Sequence, residues 1–406
     1  MIRRGSALSA GLVALALVGV CVVVAWPHDS TLVPRNAGHP VGSDRWAWIF
    51  LGCAALAFVA YAAALYVIDR LGGWLIAVAA LAVAIQLAPL GAPLLLSTDA
   101  WTYWDYGRIA AVHDGNPYRD PPNEFRSDPA FPSIGEKWRN STSVYGPAFT
   151  LASEPLALAD GSSKDAAAWT YKGIAAAALL GATALATVLA RRKALACAFV
   201  GWNPLLALHF AGGGHNDAWM AVLVMGALGL GVLGRRHFAG ALWALAVLVK
   251  WIPLLLLPLR ALEARAHKRK VGHLGFAVVA AVVVGVASWQ FGPDWLNALG
   301  PLARNANKET SFAIPHRLTQ IGLPAWFALA AVLTAFGMFY LWLLREAAAG
   351  RARLGLATGL LLLTTPYLAP WYVVWAVPLA AAEDDRQAQL LALAVCAYLV
   401  PQTIPV

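Results

Sequence analysis

The chain has 406 residues, of which 60% are hydrophobic and only 13% are charged. A soluble domain of this length does not have such a composition, so the sequence predicts a polytopic membrane protein. The formal net charge of +9 does not indicate a nucleic-acid partner, because the lysines and arginines lie mostly in short loops between apolar runs. All four cysteines lie inside apolar runs, which favours packing over disulfide bonds or metal binding.

The first half of the chain alternates between apolar runs and charged turns. Arg3 and Arg4 precede the first run and predict a cytoplasmic N-terminus. This run lacks the small-x-small cleavage site of a signal peptide, so we expect a retained helix. The predicted helices of this half are residues 6–26, 47–67, 72–96, 165–190, 194–211 and 218–234.

Residues 97–164 are the longest stretch without a predicted span. They contain many prolines and charges of both signs, so we expect a folded region on the outer surface. Within this stretch, residues 147–158 are apolar but too short to cross a bilayer, which favours an interfacial position.

The apolar run 238–259 is flanked by positive charges on both sides, at Arg235-Arg236 and within residues 260–270. One span would place one of these clusters outside, against the positive-inside rule. The sequence therefore favours a broken hairpin with Lys250 near its turn. A single span with one misplaced cluster is the alternative.

The last third of the chain continues as helices that become shorter towards the end. Prolines break its final apolar region, and a tight inner loop precedes a last helix. In total we expect about 11–13 membrane segments in one all-α, polytopic transmembrane bundle that forms a single domain over residues 1–406. The predicted features of this third are helices at 272–291 and 321–344, a polar loop at 292–317, a break at 364–378 and the inner loop 383–386.

Asp99 is the first candidate catalytic residue. It follows the apolar run 72–96 and is expected where lipid gives way to water, a position at which ionisable groups are usually functional. A helix C-terminus disfavours an acid, and partial burial would raise its pKa and make it a better general base. The alternative is a helix-end carboxylate that interface water solvates.

Asp105 is the second candidate, for metal binding or for orienting an acceptor, with a solvated side chain as the alternative. The neighbouring Tyr103 and Tyr106 predict a sugar-stacking platform, because aromatic rings combine apolar faces with polar tips. An aromatic belt at the membrane interface explains them equally well.

The run Gly-Gly-Gly-His-Asn-Asp at residues 212–217 is the other distinctive motif. Three glycines allow the backbone to approach a ligand closely. His215, Asn216 and Asp217 would then present polar groups at the same surface as Asp99. A tight turn between two helices is the alternative, although such a turn does not require a histidine.

A phosphate-bearing ligand requires cations on the outer side. Arg317 at the start of a helix fits best, with His316 beside it, and Arg108 and Arg304 are weaker candidates. We interpret Lys250 as reaching the inner surface rather than neutralising a buried acid. The aromatic pair that follows the proline break is expected to line a lipid-sugar pocket; it consists of Trp371 and Tyr372.

Several of these motifs together resemble the GT-C type of integral membrane glycosyltransferases, which use polyprenyl-phosphate sugars. The chain is most similar in pattern to bacterial polyprenyl-phosphate-mannose-dependent α-mannosyltransferases of the cell envelope. The residues that carry the resemblance are Asp99 with Tyr103, Tyr106-Gly107, Gly115-Asn116-Pro117-Tyr118, Tyr145-Gly146-Pro147, Asn203-Pro204-Leu205 with 213–217, Lys250 with Pro253 and Pro258, and Pro370-Trp371-Tyr372.

The resemblance implies an inverting transfer outside the cytoplasmic membrane, from a β-linked polyprenyl-phosphate sugar to a glycan or glycolipid, with Asp99 as base. Thr98-Asp99-Ala100 contains one acid where some members have two. No cofactor is therefore required, and a divalent metal is left open but not indicated. The expected site consists of the catalytic pair Asp99 and Asp105, with Tyr103, Tyr106, Tyr118, Tyr145, His215, Asn216, Asp217, Arg317, Trp371 and Tyr372 binding substrate.

The sequence thus predicts a multi-pass mannosyltransferase of the cytoplasmic (inner) membrane, with its active site on the outer face. An arabinosyltransferase on the same scaffold is one alternative, and a lipid-linked sugar flippase or transporter is another. A transporter should carry polar residues at mid-helix depth and an internal repeat. This sequence instead gathers its polar residues at one face, which favours an enzyme.

Overall fold

A computed structural model describes residues 4–35, 38–300 and 310–404. Over these ranges the chain is helical and contains no β-strand, which confirms the all-α prediction. The longer helices, labelled in chain order, are α1 (Arg4–Val23), α2 (Asp44–Leu71), α3 (Leu75–Leu87), α4 (Asp99–Ala111), α5 (Pro147–Asp160), α6 (Lys164–Leu189), α7 (Lys193–Gly201), α8 (Pro204–Ala207), α9 (Asp217–Val232), α10 (Arg236–Val249), α11 (Leu256–Ala266), α12 (His273–Phe291), α13 (Ile314–Gln320), α14 (Ala325–Ala348), α15 (Leu354–Thr364), α16 (Val377–Ala382) and α17 (Arg386–Leu399).

Five helices of the described chain are long and apolar enough to cross a membrane: α1, α2, α6, α12 with its extension to Ala298, and α14. A sixth span results if α7 and the segment Pro204–Gly212, which are bent by 48° at their junction, count as one. Five shorter apolar helices complete the bundle, so the chain is a multi-pass membrane protein with broken segments. They are Leu75–Gly91, Asp217–Val232, Arg236–Val249, Leu354–Thr364 and Pro370–Ala382.

The third predicted helix ends earlier than expected. α3 stops at Leu87 and a short 3₁₀ turn follows, because Pro89 and Pro93 interrupt helical hydrogen bonding. The chain then begins a new helix at Asp99. The expected position of Asp99 at a helix C-terminus is therefore wrong. It lies at the N-terminus of α4, where the helix dipole favours a negative charge.

The fifth predicted helix breaks where Asn203 precedes Pro204. The Asn203 side-chain oxygen accepts hydrogen bonds from the backbone N–H groups of Leu205 and Leu206, at 3.0 and 3.4 Å, and so caps α8. A π-helical turn, Leu208–Gly212, leads directly into the glycine-rich motif. Such turns are frequent at functional sites.

The segment after α9 turns back on itself, in agreement with a broken hairpin. α10 ends at Val249, and α11 follows after a short 3₁₀ turn. The backbone of Gly272, which precedes α12, packs so closely on the start of α10 that a Cβ there would overlap the carbonyl of Arg236. The two basic clusters are therefore at the same end of the bundle.

The turn of this hairpin contacts the region 97–164. The Gly146 N–H donates to the carbonyl of Val249 at 3.2 Å, immediately before α5. Within this region α4 is almost completely buried and packs against α5. Gly107 of α4 touches the backbone of Ser153, where any side chain would clash. The packing of α4 thus fixes which of its residues face a cavity.

Candidate active site

The Asp99 carboxylate is held by a buried histidine. His215 Nδ1 lies 3.1 Å from Asp99 Oδ2, and the His215 side chain is fully buried while that of Asp99 is 13% exposed. The imidazole stacks on Trp371 with ring centroids 3.7 Å apart and an interplanar angle of 11°. Because both rings are fixed by packing, the carboxylate has one preferred orientation.

The environment of Asp99 favours its charged form. Burial raises the pKa of this carboxyl, but the hydrogen bond and charge of His215 outweigh it, with smaller contributions from Lys137 and Ser97, so the pKa lies below its usual range. The expectation that burial gives Asp99 a raised pKa is therefore wrong. Asp99 is therefore ionised at neutral pH.

Two glycines explain how His215 reaches this position. A Cβ on Gly213 would lie 2.6 Å from the His209 carbonyl and 3.1 Å from the His215 ring. Gly214 has a φ of +70°, which L side chains rarely adopt. The following Asn216 donates its N–H to the Tyr103 hydroxyl at 3.4 Å. The motif therefore connects α4 to α9 and brings the imidazole to Asp99.

Asp217, the first residue of α9, forms a buried ion pair with Lys250. Asp217 Oδ1 accepts from Lys250 Nζ and from Trp375 Nε1, each at 2.6 Å. The Lys250 ammonium also lies 5.0 Å from the centroid of Tyr372. The interpretation of Lys250 as reaching the inner surface is wrong, because the hairpin turn places it beside a buried acid that it neutralises.

Two cavities meet at Asp99. The first, which we call the aromatic cavity, has a volume of about 220 Å³, and the second, the outer cavity, about 510 Å³. Asp99 and Trp371 line both. The aromatic cavity is lined by Asp99, Tyr103, Trp138, Val144, Tyr145, Asn216, Asp217, Lys250, Trp251, Ile252, Thr365, Pro366, Tyr367, Trp371, Tyr372 and Trp375. The outer cavity is lined by Pro34, Gly38, His39, Leu96, Ser97, Thr98, Asp99, Gly135, Glu136, Lys137 and Trp371.

A family model described as the N-terminal domain of alpha-(1->6)-mannopyranosyltransferase matches residues 6–265. A second model, the MptB C-terminal domain, matches residues 316–405. This chain belongs to the alpha-(1->6)-mannopyranosyltransferase family. The expected resemblance to GT-C type mannosyltransferases is thereby confirmed.

Relatives from three bacteria carry the same family name. A probable alpha-(1->6)-mannopyranosyltransferase of Mycolicibacterium smegmatis is 28% identical over 71% of this chain and 62% of its own length. Alpha-(1->6)-mannopyranosyltransferase A of Mycobacterium tuberculosis is 29% identical over 73% and 64%. Alpha-(1->6)-mannopyranosyltransferase B of Corynebacterium glutamicum is 27% identical over 72% and 56%. The chain spans about three fifths of the length of these relatives. No solved structure matches it.

Eight of the site residues expected from the sequence lie around the place where the aromatic cavity and the outer cavity meet. Seven line a cavity and His215 contacts two of them. The eight are Asp99, Tyr103, Tyr145, His215, Asn216, Asp217, Trp371 and Tyr372.

The structure does not bring Asp105 to this junction. Its side chain is buried on another face of α4, and neither carboxylate oxygen has a hydrogen-bond partner among the described residues. Burial and the nearby charge of Asp128 raise the pKa of Asp105 well above its usual range, although Arg108 opposes them. Asp105 is thus favoured in its neutral form.

Three further expected residues also lie away from the cavities. Tyr106 donates to the Ser141 carbonyl at 2.7 Å, and Tyr118 donates to the Thr150 hydroxyl at 2.8 Å. Arg317 on α13 donates to the Tyr398 hydroxyl at 3.2 Å. Arg108, a weaker cation candidate, is bound to Asp128, and Arg304 lies outside the described residues.

The cavity-lining residues that sequence reasoning missed include Lys137, Trp138, Tyr367 and Trp375. Lys137 and Trp138 belong to a short 3₁₀ turn, Glu136–Trp138, inside the long loop region, where no periodic pattern marks them. Trp375 lies one 3₁₀ turn after Tyr372, and their rings stack at 4.2 Å. The repeated aromatics after Pro370 were the signal that would have found it. Within the described residues, no group of three or more His, Cys, Asp and Glu side chains is placed to hold a metal ion.

The buried pair of Asp217 and Lys250 predicts a large stability effect. Lys250→Met leaves Asp217 buried with only a tryptophan donor, so the free energy of unfolding should fall by about 3 kcal/mol. The double variant Asp217→Asn/Lys250→Met should lose less than the sum of the two single losses. Unfolding of the detergent-purified protein measures both.

The matched control for this pair is Arg351→Met. Arg351 pairs with Glu346 at 3.1 Å, but the Arg351 side chain is 67% exposed. Its loss should cost less than about 1 kcal/mol. Equal effects of Lys250→Met and Arg351→Met would contradict the structural role of the buried pair.

Proposed function

We propose that this protein is an inverting mannosyltransferase that uses a polyprenyl-phosphate mannose donor. The acceptor is a glycan or glycolipid of the cell envelope, and transfer takes place on the outer face of the cytoplasmic membrane. The observation that supports this best is the position of Asp99, whose carboxylate is the one, among the described residues, that lines both cavities. The relatives are named for α-(1→6) transfer, and we extend that linkage to this chain.

In the proposed reaction Asp99 acts as the general base. It accepts the proton of the acceptor hydroxyl while that oxygen attacks the anomeric carbon of the donor. The bond between this carbon and the phosphate oxygen breaks, and the lipid phosphate leaves with the bonding electrons. Attack from the opposite face converts a β-linked donor into an α-linked product. The hydrogen bond from His215 keeps Asp99 ionised and oriented for this step.

The aromatic cavity suits the mannosyl group of the donor. The stacked rings of Tyr372 and Trp375 and the neighbouring Trp371 present apolar faces, on which a sugar ring packs. Asp99 lies where this cavity meets the larger outer cavity, so the anomeric carbon and an acceptor hydroxyl that enters there would both be within its reach.

Lys137 is the cation best placed for the donor phosphate. It lines the outer cavity, and its Nζ donates to the hydroxyl of Tyr367, which lines the aromatic cavity, at 3.3 Å. Lys137 forms no ion pair among the described residues. Lys250, in contrast, is neutralised by Asp217, and Arg317 donates to the hydroxyl of Tyr398, away from both cavities. We therefore propose Lys137 for the role first expected of Arg317. The ammonium would stabilise the charge that develops on the leaving phosphate.

Transfer from a panel of radiolabelled polyprenyl-phosphate sugars by the purified protein tests the function as a whole. Incorporation of mannose into an alkali-stable glycan or glycolipid is the expected result. Transfer of arabinose alone would establish the arabinosyltransferase alternative. Movement of lipid-linked sugar across vesicle membranes without glycosidic bond formation would establish the transporter alternative and overturn the proposal.

Asp99 and Asp105 provide a matched pair for the catalytic role. Asp99→Asn keeps the shape of the side chain and removes its basicity, so kcat should fall by about two orders of magnitude or more. Asp105→Asn makes the same chemical change on the same helix. Because Asp105 is buried and favoured as the neutral acid, its variant should retain activity close to that of the unmodified protein. Comparable losses in both variants would remove Asp99 from the proposed role.

The contact with His215 predicts a shift of the pH profile. His215→Phe keeps a ring against Trp371 but removes the group that lowers the pKa of Asp99, while burial continues to raise it. At a given acidic pH a smaller fraction of Asp99 is then ionised. The acidic limb of kcat/KM against pH should therefore move to higher pH in this variant. An unchanged limb would show that Asp99 ionisation does not control the rate.

Lys137→Ala should raise the KM for the donor. The increase should correspond to a loss of about 2 kcal/mol in the free energy of donor binding, as is typical of a lost charge-assisted contact. The KM for the acceptor should change less. Arg317→Ala removes a cation that contacts Tyr398 rather than a cavity, so the donor KM should stay unchanged. The reverse pattern would return the phosphate site to Arg317. Steady-state transfer kinetics with varied donor distinguish these outcomes.

A further inference from the structure

A third cavity lies apart from Asp99 and is larger than the two described above. Its volume is about 680 Å³, and it is formed between the end of α1, the proline-rich segment after α3 and the first turns of α6. We call it the tryptophan cavity, after the exposed Trp26 and Trp169 and the buried Trp101 that line it. It is lined by Trp26, Val33, Pro34, Arg35, Gly91, Ala92, Pro93, Leu94, Trp101, Pro132, Ser133, Lys164, Asp165, Ala168, Trp169 and Lys172.

Lys172 is the unusual residue of this cavity. It lies eight residues after the first residue of α6, about 12 Å along a membrane-spanning helix, and is only 1% exposed. Its Nζ donates to the carbonyls of Leu90 and Ala92, at 3.2 and 2.5 Å. No carboxylate of the described residues forms an ion pair with it. A buried cation without a counter-ion inside a membrane helix is costly unless a ligand neutralises it.

The Lys172 ammonium also lies 5.3 Å from the centroid of the Trp169 ring, but neither this contact nor the two carbonyls supplies a counter-charge. Both carbonyls are neutral, and a neutral amide donor at this position would satisfy them as well. The rest of the cavity adds positive charge, since Arg35 and Lys164 face one acid, Asp165, at the N-terminus of α6. The indoles of Trp26, Trp101 and Trp169 are of the type that lies at the level of lipid headgroups.

We propose that the tryptophan cavity binds the phosphate headgroup of an anionic membrane phospholipid, with Lys172 as the central cation. The acyl chains would extend along the apolar surface of α6 into the bilayer, and the indoles would line the boundary between headgroup and chains. This site shares neither Asp99 nor any of the aromatic-cavity residues, and it has only Pro34 in common with the outer cavity. It is thus a lipid site separate from the transfer reaction, and it does not depend on the proposed function.

The test uses the full-length protein in detergent, with phosphatidylglycerol added and bound lipid counted by native mass spectrometry. Lys172→Gln keeps a hydrogen-bond donor for the two carbonyls and removes the charge. Its apparent Kd for the most tightly held phosphatidylglycerol should rise about tenfold or more, as for loss of a charge-assisted contact. Lys193→Gln, at the exposed first residue of α7, is the control and should bind as the unmodified protein does.

A second variant allows the proposal to be tested even if Lys172→Gln does not fold. Lys164→Gln touches neither carbonyl and should weaken phosphatidylglycerol binding in the same direction, but less. Unchanged binding in both Lys172→Gln and Lys164→Gln would overturn the proposal. The proposal would also be overturned if zwitterionic phosphatidylcholine bound as tightly as phosphatidylglycerol and its binding depended on Lys172 to the same extent. Displacement of phosphatidylglycerol by polyprenyl phosphate at much lower concentration would assign the cavity to the donor instead and would also overturn it.

Discussion

A backbone that leaves helical geometry at membrane depth must find its hydrogen-bond partners within the protein. Around the candidate site the helices of the described chain are interrupted at four places. Near each interruption, hydrogen bonds form within the protein. The contacts are the Leu95 N–H to the Gly212 carbonyl at 3.0 Å, the Asn203 side chain to the start of α8, the Gly146 N–H to the Val249 carbonyl at 3.2 Å, and the Leu368 backbone to the Thr310 hydroxyl at 3.0 and 3.1 Å. The first two breaks therefore bind each other directly through Leu95 and Gly212, and the cavities lie among the four.

The same breaks deliver the polar groups of the candidate site. Asp99 follows the first, His215 the second, Lys250 the third, and Trp371 the fourth. At these interruptions the chain changes direction, so residues next to them can point into the space between helices rather than along a helix surface. α4 separates two environments as a result. Tyr103 faces the aromatic cavity and Trp101 faces the tryptophan cavity. One short helix thus divides a proposed site for chemistry from a proposed site for lipid.

The sequence predicted the long spans well, since runs of apolar residues between basic clusters depend on composition alone. It also singled out Asp99 and His215, which the structure brings into contact, because a lone acid beside an apolar run and a histidine in a glycine turn are unusual locally. It placed Asp105 in the same site as Asp99. On a helix the two side chains, six residues apart, point about 240° away from each other. The sequence did not show this, because it did not show that α4 begins at Asp99. The role of Lys250 depended on Asp217, 33 positions away, and no local pattern contains such a contact.

The stack of His215 on Trp371 joins residues from the two separately matched regions, 6–265 and 316–405. Each region alone therefore holds only part of the candidate site: one supplies the acid and the imidazole, the other the indole on which the imidazole stacks. If the two regions were exchanged between homologues, we would expect activity only in hybrids whose C-terminal region places the indole at the same depth and tilt against the histidine. The position of Trp371 in the C-terminal region is thus coupled to a histidine that belongs to the N-terminal region.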